Sequence, residues 1–259
     1  MEDLVLVDRD GPVLTVTLNR PDRRNPLSFE MIAALRKAIL DADATVIVLA
    51  STGPVFSAGH DLKEMTDREP AFYDALFRAC AELMLAIHEV PQPVIAQVQG
   101  VATAAGCQLV AACDLAVAAA SARFATPGVR IGLFCTTPMV EVARAVGRKR
   151  AMQMLLTGDF VDADTALDWG LVNQVVPDDI LAGATGELAR RIANASPSTL
   201  AVGKRAFYAN LDHGLAGAYD HASPIMAANA SDADAQEGFR AFLERREPVW
   251  TGSASPSAK

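Results

Sequence analysis

The sequence predicts an α/β core followed by an all-helical end, on three observations. Short apolar runs such as Val46–Ala50, Val94–Val98 and Leu115–Ala119 alternate with segments of helical spacing through the first two-thirds of the chain. Beyond Pro177 every periodic segment is helical. The 259 residues, 51% hydrophobic and 21% charged, suffice for one large core with a helical extension and exclude a disordered chain. No clean linker, fixed-period repeat or low-complexity segment interrupts it. The expected division is an α/β core over 1–195, a helical region over 196–250 and a mobile tail over 251–259.

Leu4–Val7 and Val13–Leu18 are apolar runs joined by Asp-Arg-Asp-Gly-Pro. Leu14, Val16 and Leu18 alternate with Thr15 and Thr17, so the pair reads as a β-hairpin with one buried face. Asn19–Pro26 is a polar loop carrying Arg20, Arg23 and Arg24. Ser28 is placed to cap a helix reaching about Leu40, with Met31, Leu35 and Ile39 on one face. Val46–Ala50 has the continuous apolar character of a strand buried on both faces. After the loop Ser51–His60, the residues Phe72, Leu76, Cys80, Leu83 and Ile87 predict a helix over Pro70–His88. Pro91 and Pro93 precede the strand Val94–Val98, where a missing ladder donor is tolerated.

Gly100 then turns the chain, small residues fill Ala102–Gly106, and an apolar helix begins near Cys107. Leu115–Ala119 is the next strand, and Phe124–Thr137 is a loop rich in Gly and Pro. Thr137 is the expected N-cap of a helix with Pro138 in its first position and Gly147 at its end. Helices over Lys149–Leu156 and Asp162–Trp169 close at Gly158 and Gly170, and Leu171–Val176 is the last strand. Helices follow at Asp179–Asn194, Ser198–Leu211, Gly217–Ala230 and Gln236–Arg245.

A net charge of −8 argues against nucleic acid as the main partner. An anionic ligand would need local cations, and Arg20, Arg23, Arg24, Lys63, Arg148–Arg150, Arg245 and Arg246 are the candidates. No apolar run has membrane length and no signal pattern opens the chain, so no membrane association is expected. Cys80, Cys107, Cys113 and Cys135 form no CxxC pair and lie in apolar surroundings, which suggests reduced thiols of a cytoplasmic protein. His60, His88, His213 and His221 show no metal-ligand spacing, so no metal is expected.

The stretch Gln97–Asp114 carries the clearest chemical signal. A strand runs into a turn, then small residues, then a helix whose first-turn N–H groups have no partner in the helix and carry the positive end of its dipole. Small side chains at Ala104, Ala105 and Gly106 let a ligand reach that backbone. The place suits negative charge developing on a thioester or carboxyl oxygen. Close helix–strand packing, as in any α/β protein, explains the same small residues.

A family resemblance extends this. Val55-Phe-Ser-Ala-Gly-His-Asp-Leu-Lys-Glu-Met65, Pro93-Val-Ile-Ala96, Gly100-Val-Ala-Thr-Ala-Ala-Gly-Cys-Gln-Leu109, Cys113-Asp114 and Phe124-Ala-Thr-Pro-Gly128 resemble the crotonase (enoyl-CoA hydratase/isomerase) superfamily. Ala145-Val-Gly147, Leu156-Thr-Gly158 and Ala166–Val172 continue the match in family order, from about Asn19 to Trp250. The resemblance implies a spiral of strand–strand–helix units with C-terminal helices that build a homotrimer or a dimer of trimers. It implies an acyl-CoA thioester as substrate, with coenzyme A entering as part of it and no separate cofactor. The thioester carbonyl would sit between the backbone amides of His60 and Ala105, each such donor typically worth about 10²–10³ in rate. The CoA end would be lined by Arg24, Asn25, Pro26, Ala58, Asp61, Leu62 and Lys63, and the acyl end by Phe134, Cys135 and Thr136.

The chain departs from that pattern where the resemblance matters most. Hydratases of the superfamily use two glutamates to hold water and move protons, and their places here are Gln108 and Gly128. Glutamine orients water by hydrogen bonds but exchanges no proton at neutral pH, and Gly128 has no side chain. General acid–base groups typically contribute about 10²–10⁴ each. A glutamate at 128 is expected to meet an unfavourable backbone conformation. His60 is the leading replacement base, because imidazole titrates near neutrality. Asp61, Cys135, Thr136 and Glu141 stand beside it, with structural roles open for three: a helix cap, a pocket wall and an exposed helix position for Asp61, Cys135 and Glu141. Three functions remain in view: an enoyl-CoA hydratase/isomerase-like enzyme of lipid metabolism with weak hydration, an enzyme of other thioester chemistry (isomerase, hydrolase or decarboxylase), and a non-catalytic acyl-CoA-binding protein.

Overall fold

The computed structural model describes residues 3–252. The chain opens with β1 (Val5–Asp10) and β2 (Val13–Leu18), antiparallel from Val5↔Leu18 to Asp10↔Val13. The polar Asp8–Asp10 segment joins the ladder, so the turn shrinks from the five residues expected to Gly11-Pro12. Next come α1 (Phe29–Leu40), β3 (Val46–Ser51), β4 (Val55–Ser57), α2 (Leu62–Met65) and α3 (Pro70–Glu89). They are followed by β5 (Val94–Val98), β6 (Val101–Thr103), α4 (Ala105–Ala112), β7 (Leu115–Ala119) and β8 (Arg123–Ala125). A 3₁₀ turn at Pro127–Ile131 leads to α5 (Pro138–Val146), α6 (Arg148–Thr157), β9 (Val161–Asp162), α7 (Ala163–Trp169) and β10 (Gln174–Val176). Four helices close the described chain: α8 (Leu181–Ala193), α9 (Pro197–Asn210), α10 (Leu215–Ala230) and α11 (Ala233–Glu244).

The strands sort into two sheets. The larger runs β1-β2-β3-β5-β7-β10 and is parallel from β2 onward. The smaller runs β4-β6-β8-β9. Chain order therefore alternates between sheets: β3 then β4 then helix, β5 then β6 then α4, β7 then β8 then α5. This is the expected crotonase spiral of strand–strand–helix units, with helices packed at the C-terminal end.

The larger sheet explains the continuous apolar runs. Ile47 and Leu49 face a core with Leu35, Ile39, Leu76 and Leu83, supplied by α1 and α3. Val46 and Val48 face the other way, onto Leu181, Leu188 and Ala189 of α8. A strand covered on both faces has no polar alternation to show. Ser28 caps α1, its hydroxyl accepting from the Met31 amide at 3.2 Å.

Several boundaries move. Thr137 is already helical in backbone and its side chain makes no capping bond, although Pro138 occupies the first helical turn as expected. The last strand is only Gln174–Val176, because Leu171 is held in a turn by its amide bond to the Ala166 carbonyl. α4 begins at Ala105, two residues earlier than expected. The tail expected over 251–259 lies outside the described residues except for Thr251 and Gly252, whose amides donate to Asp234. No helix among the described residues is long and apolar enough to cross a membrane.

Candidate active site

The first turn of α4 and the exit of β4 meet at two positions that lack a side chain. Gly59 has φ +87°, and a Cβ built on it would fall 2.9 Å from the Thr103 carbonyl oxygen and 3.2 Å from the Ala105 nitrogen. A Cβ on Gly106 would fall 2.4 Å from the Ser57 carbonyl oxygen. These close approaches hold the backbone before His60 against the start of α4. Neither the His60 amide nor the Ala105 amide donates to another backbone group among the described residues. Ala104, between β6 and α4, has φ 50° and ψ −118°, a conformation unusual for alanine. Strain of this kind typically costs about 1–3 kcal/mol and is tolerated where the surroundings enforce it.

A cavity of about 400 Å³ opens at this junction. Ala58, His60, Leu62, Ala105, Gly128, Phe134, Cys135 and Thr136 line it, which brings eight of the proposed site residues together. Met65, Phe77, Ile131 and Leu133 add apolar wall that the sequence did not single out. Phe77 stands beside the helical stripe of α3, one residue past Leu76, and that was its only signal. Arg130 also lines the cavity, with its guanidinium bonded to the Asp159 carboxylate and the Thr157 carbonyl. No aspartate or glutamate is among the lining residues.

His60 is fixed at one end. Its Nδ1 lies 3.1 Å from the Leu27 carbonyl oxygen. A carbonyl only accepts, so Nδ1 carries the proton and Nε2 keeps its lone pair. Nε2 is buried and has no hydrogen-bond partner. The ring packs edge-on to Phe77 with centroids 5.4 Å apart. Burial pushes the imidazole below its ordinary value of 6.5 and outweighs the bond to Leu27, so the ring is neutral at pH 7.

The other proposed residues have different surroundings. Gln108 is buried one turn along α4, does not line the cavity, and its Oε1 has no partner. Gly128 corrects the expectation about its backbone, because its φ is not in the left-handed region. The obstacle is space: a Cβ there would fall 2.1 Å from the Leu133 carbonyl oxygen and 2.8 Å from Cys135 Sγ. Asp61 caps α2, accepting from the Lys63 amide at 3.1 Å, and pairs with Arg23 at 2.7 Å. Asn25 is buried, with its amide group donating to the Thr52 and Val55 carbonyls and its Oδ1 accepting from the Arg20 amide. Pro26 is buried, whereas Arg24 and Lys63 are exposed, and none of these three lines the cavity. Glu141 is neither exposed nor at this cavity: it is buried on α5 and lines a second one. Burial also raises the Cys135 thiol above its ordinary value.

The repeated strand–strand–helix units and two adjacent free amides beside an apolar cavity define a crotonase-type site. Residues 8–253 match the enoyl-CoA hydratase/isomerase family, and the chain belongs to it. It is 47% identical over 248 residues to mouse enoyl-CoA hydratase domain-containing protein 3, mitochondrial, covering 94% of this chain and 82% of that one. The crystal structure of the human enoyl Coenzyme A hydratase domain-containing protein 3 superposes with a TM-score of 0.93 at 45% identity, covering 96% of this chain and 100% of that one. An enoyl-CoA hydratase from Mycobacterium smegmatis superposes equally well, with a TM-score of 0.93 at 48% identity over 96% of this chain and 99% of that one. The mouse relative's name overturns the cytoplasmic location inferred from the cysteines, and points to mitochondria instead. Buried free thiols, which all four cysteines are, do not distinguish those compartments.

Proposed function

We propose that this chain binds acyl-CoA thioesters of lipid metabolism with the carbonyl oxygen between the amides of His60 and Ala105, and that it hydrates enoyl-CoA poorly. The observation that carries this is the pair of unengaged amides at a cavity with no carboxylate in its lining. Polarisation of the thioester by fixed donors persists without side-chain help. Hydration needs a held water and a proton delivered to the α-carbon, and neither Gln108 nor Gly128 supplies that proton. The exposed cations Arg24 and Lys63 are available to the phosphates of coenzyme A.

The test is loss of enoyl-thioester absorbance with crotonyl-CoA and the purified chain. A turnover on the order of 10 per second would overturn the reading of Gln108 and Gly128. Ala105→Pro removes one donor at the first helical position, where proline is tolerated. In a folded variant, unchanged turnover on any thioester substrate would overturn the placement of the carbonyl.

A second reading, thioester chemistry with one base, rests on the free Nε2 of His60. A base beside the donors supports a double-bond shift, hydrolysis or decarboxylation. His60→Gln keeps the amide and removes the base, so lost turnover with retained thioester binding supports it. A screen of CoA thioesters by mass spectrometry separates either enzyme from a protein that only binds.

A further inference from the structure

At the far end of α4 from Ala105 lies a second cavity, of about 450 Å³. Its floor is polar. Glu141 is 9% exposed, and its nearest basic group, His88 Nε2, stands 3.7 Å away, beyond hydrogen-bond distance. The His88 ring is stacked on Tyr208, with centroids 4.1 Å apart and planes at 15°. The Tyr208 hydroxyl donates to Asp114 at 2.8 Å, and Asp114 is paired with Lys204 at 2.7 Å. Those groups satisfy one another and leave the Glu141 carboxylate without a committed donor. Arg144 lines the same cavity but donates to the Val140 carbonyl, and Asp212 adds a second carboxylate. The mouth is apolar: Leu85, Val140, Phe207 and Leu211 are all exposed there.

A buried carboxylate lacking donors is costly, and a charged N–H group is the strongest partner it can find. An apolar mouth over an acidic floor selects a ligand with a cationic head and an aliphatic stem. We propose that this cavity is a binding site for an alkylammonium or alkylguanidinium compound, its charged head on Glu141 and its stem against Phe207 and Leu211. The assignment is independent of the thioester reading, since the two cavities share no lining residue.

Agmatine is a suitable probe, with 1-butanol as the uncharged control, both titrated into the full chain by calorimetry and by NMR of the histidine rings. With four histidines in the chain, the ring signals are few enough to assign. Saturable binding of agmatine with a shift at His88 and not at His60, and no binding of butanol, is the expected result. Glu141→Gln should weaken agmatine by about tenfold or more. Leu211→Lys, at an exposed position, tests the same point without touching the floor: its tethered ammonium should compete and weaken agmatine similarly. The proposal is overturned by absence of saturable binding, by a shift at His60 in place of His88, or by equal affinity in a folded variant of either kind.

Discussion

His60 holds its proton on Nδ1, bonded to Leu27, and its buried ring resists a second proton. In the unfolded chain the same imidazole titrates near 6.5, so between the folded and unfolded values it is the unfolded chain that carries the extra proton. Stability should therefore rise with pH up to about 6.5 and level off above it. Chemical denaturation at about pH 7.5 and about pH 5.5 should show a larger loss at low pH for the wild type than for His60→Gln. An equal loss would contradict the burial argument. At Gly128 the expected outcome is steric. A glutamate must displace Leu133 and Cys135, so Gly128→Glu should destabilise by about 1–3 kcal/mol, read from the denaturation midpoint, and Gln108→Glu with Gly128→Glu should recover little hydration. The residues of the site were legible through motif order, whereas their packing was not. Nothing local in the sequence says that Cys135 fills the space beside Gly128, because the two meet only through the fold of the loop between them.

The long elements were readable because burial imposes a period or a continuous apolar run over many residues. The short strands were not. β4, β6 and β8 have three residues each and β9 has two, too few to show any alternation, yet they form the sheet that carries the site. Another tie between elements was also invisible. Lys204 of α9 reaches the carbonyls of Ile87 and Gln92 as well as Asp114, joining that helix to the end of α3 and the approach to β5. Asp114 in turn accepts from the Val94 amide at 2.6 Å. The ammonium is 6% exposed, and desolvation lowers its pKa despite the attraction of Asp114. Lys204→Met should cost about 3–5 kcal/mol, since it strands a buried carboxylate. The double variant with Asp114→Asn should lose less than the sum of the single changes. Additive losses in the denaturation midpoints would show that the two side chains act separately.

At the scale of the molecule, the C-terminal helices leave much apolar surface uncovered. Leu215, Tyr219 and Met226 on α10, with Phe242 and Leu243 on α11, are all more than two-thirds exposed, and α10 has no buried residue. A surface of that kind marks an association site. We expect a trimer or a dimer of trimers in solution, and sedimentation equilibrium showing a monomer at micromolar concentration would refute it. Met226→Glu on α10 should shift that equilibrium towards monomer while leaving helix content unchanged by circular dichroism.

The two candidate donors at the thioester cavity belong to the main chain. An alanine scan of the cavity would pass over both of them, since truncating a side chain leaves a peptide N–H in place. Such a scan would rank His60, Phe77 and Phe134 and assign no effect to Ala105. Mutational drift is subject to the same blindness. Substitution over generations can strip acid–base side chains from a site like this one while the peptide donors persist, so descendants of one scaffold keep a common handle on the thioester and differ in the reaction that follows.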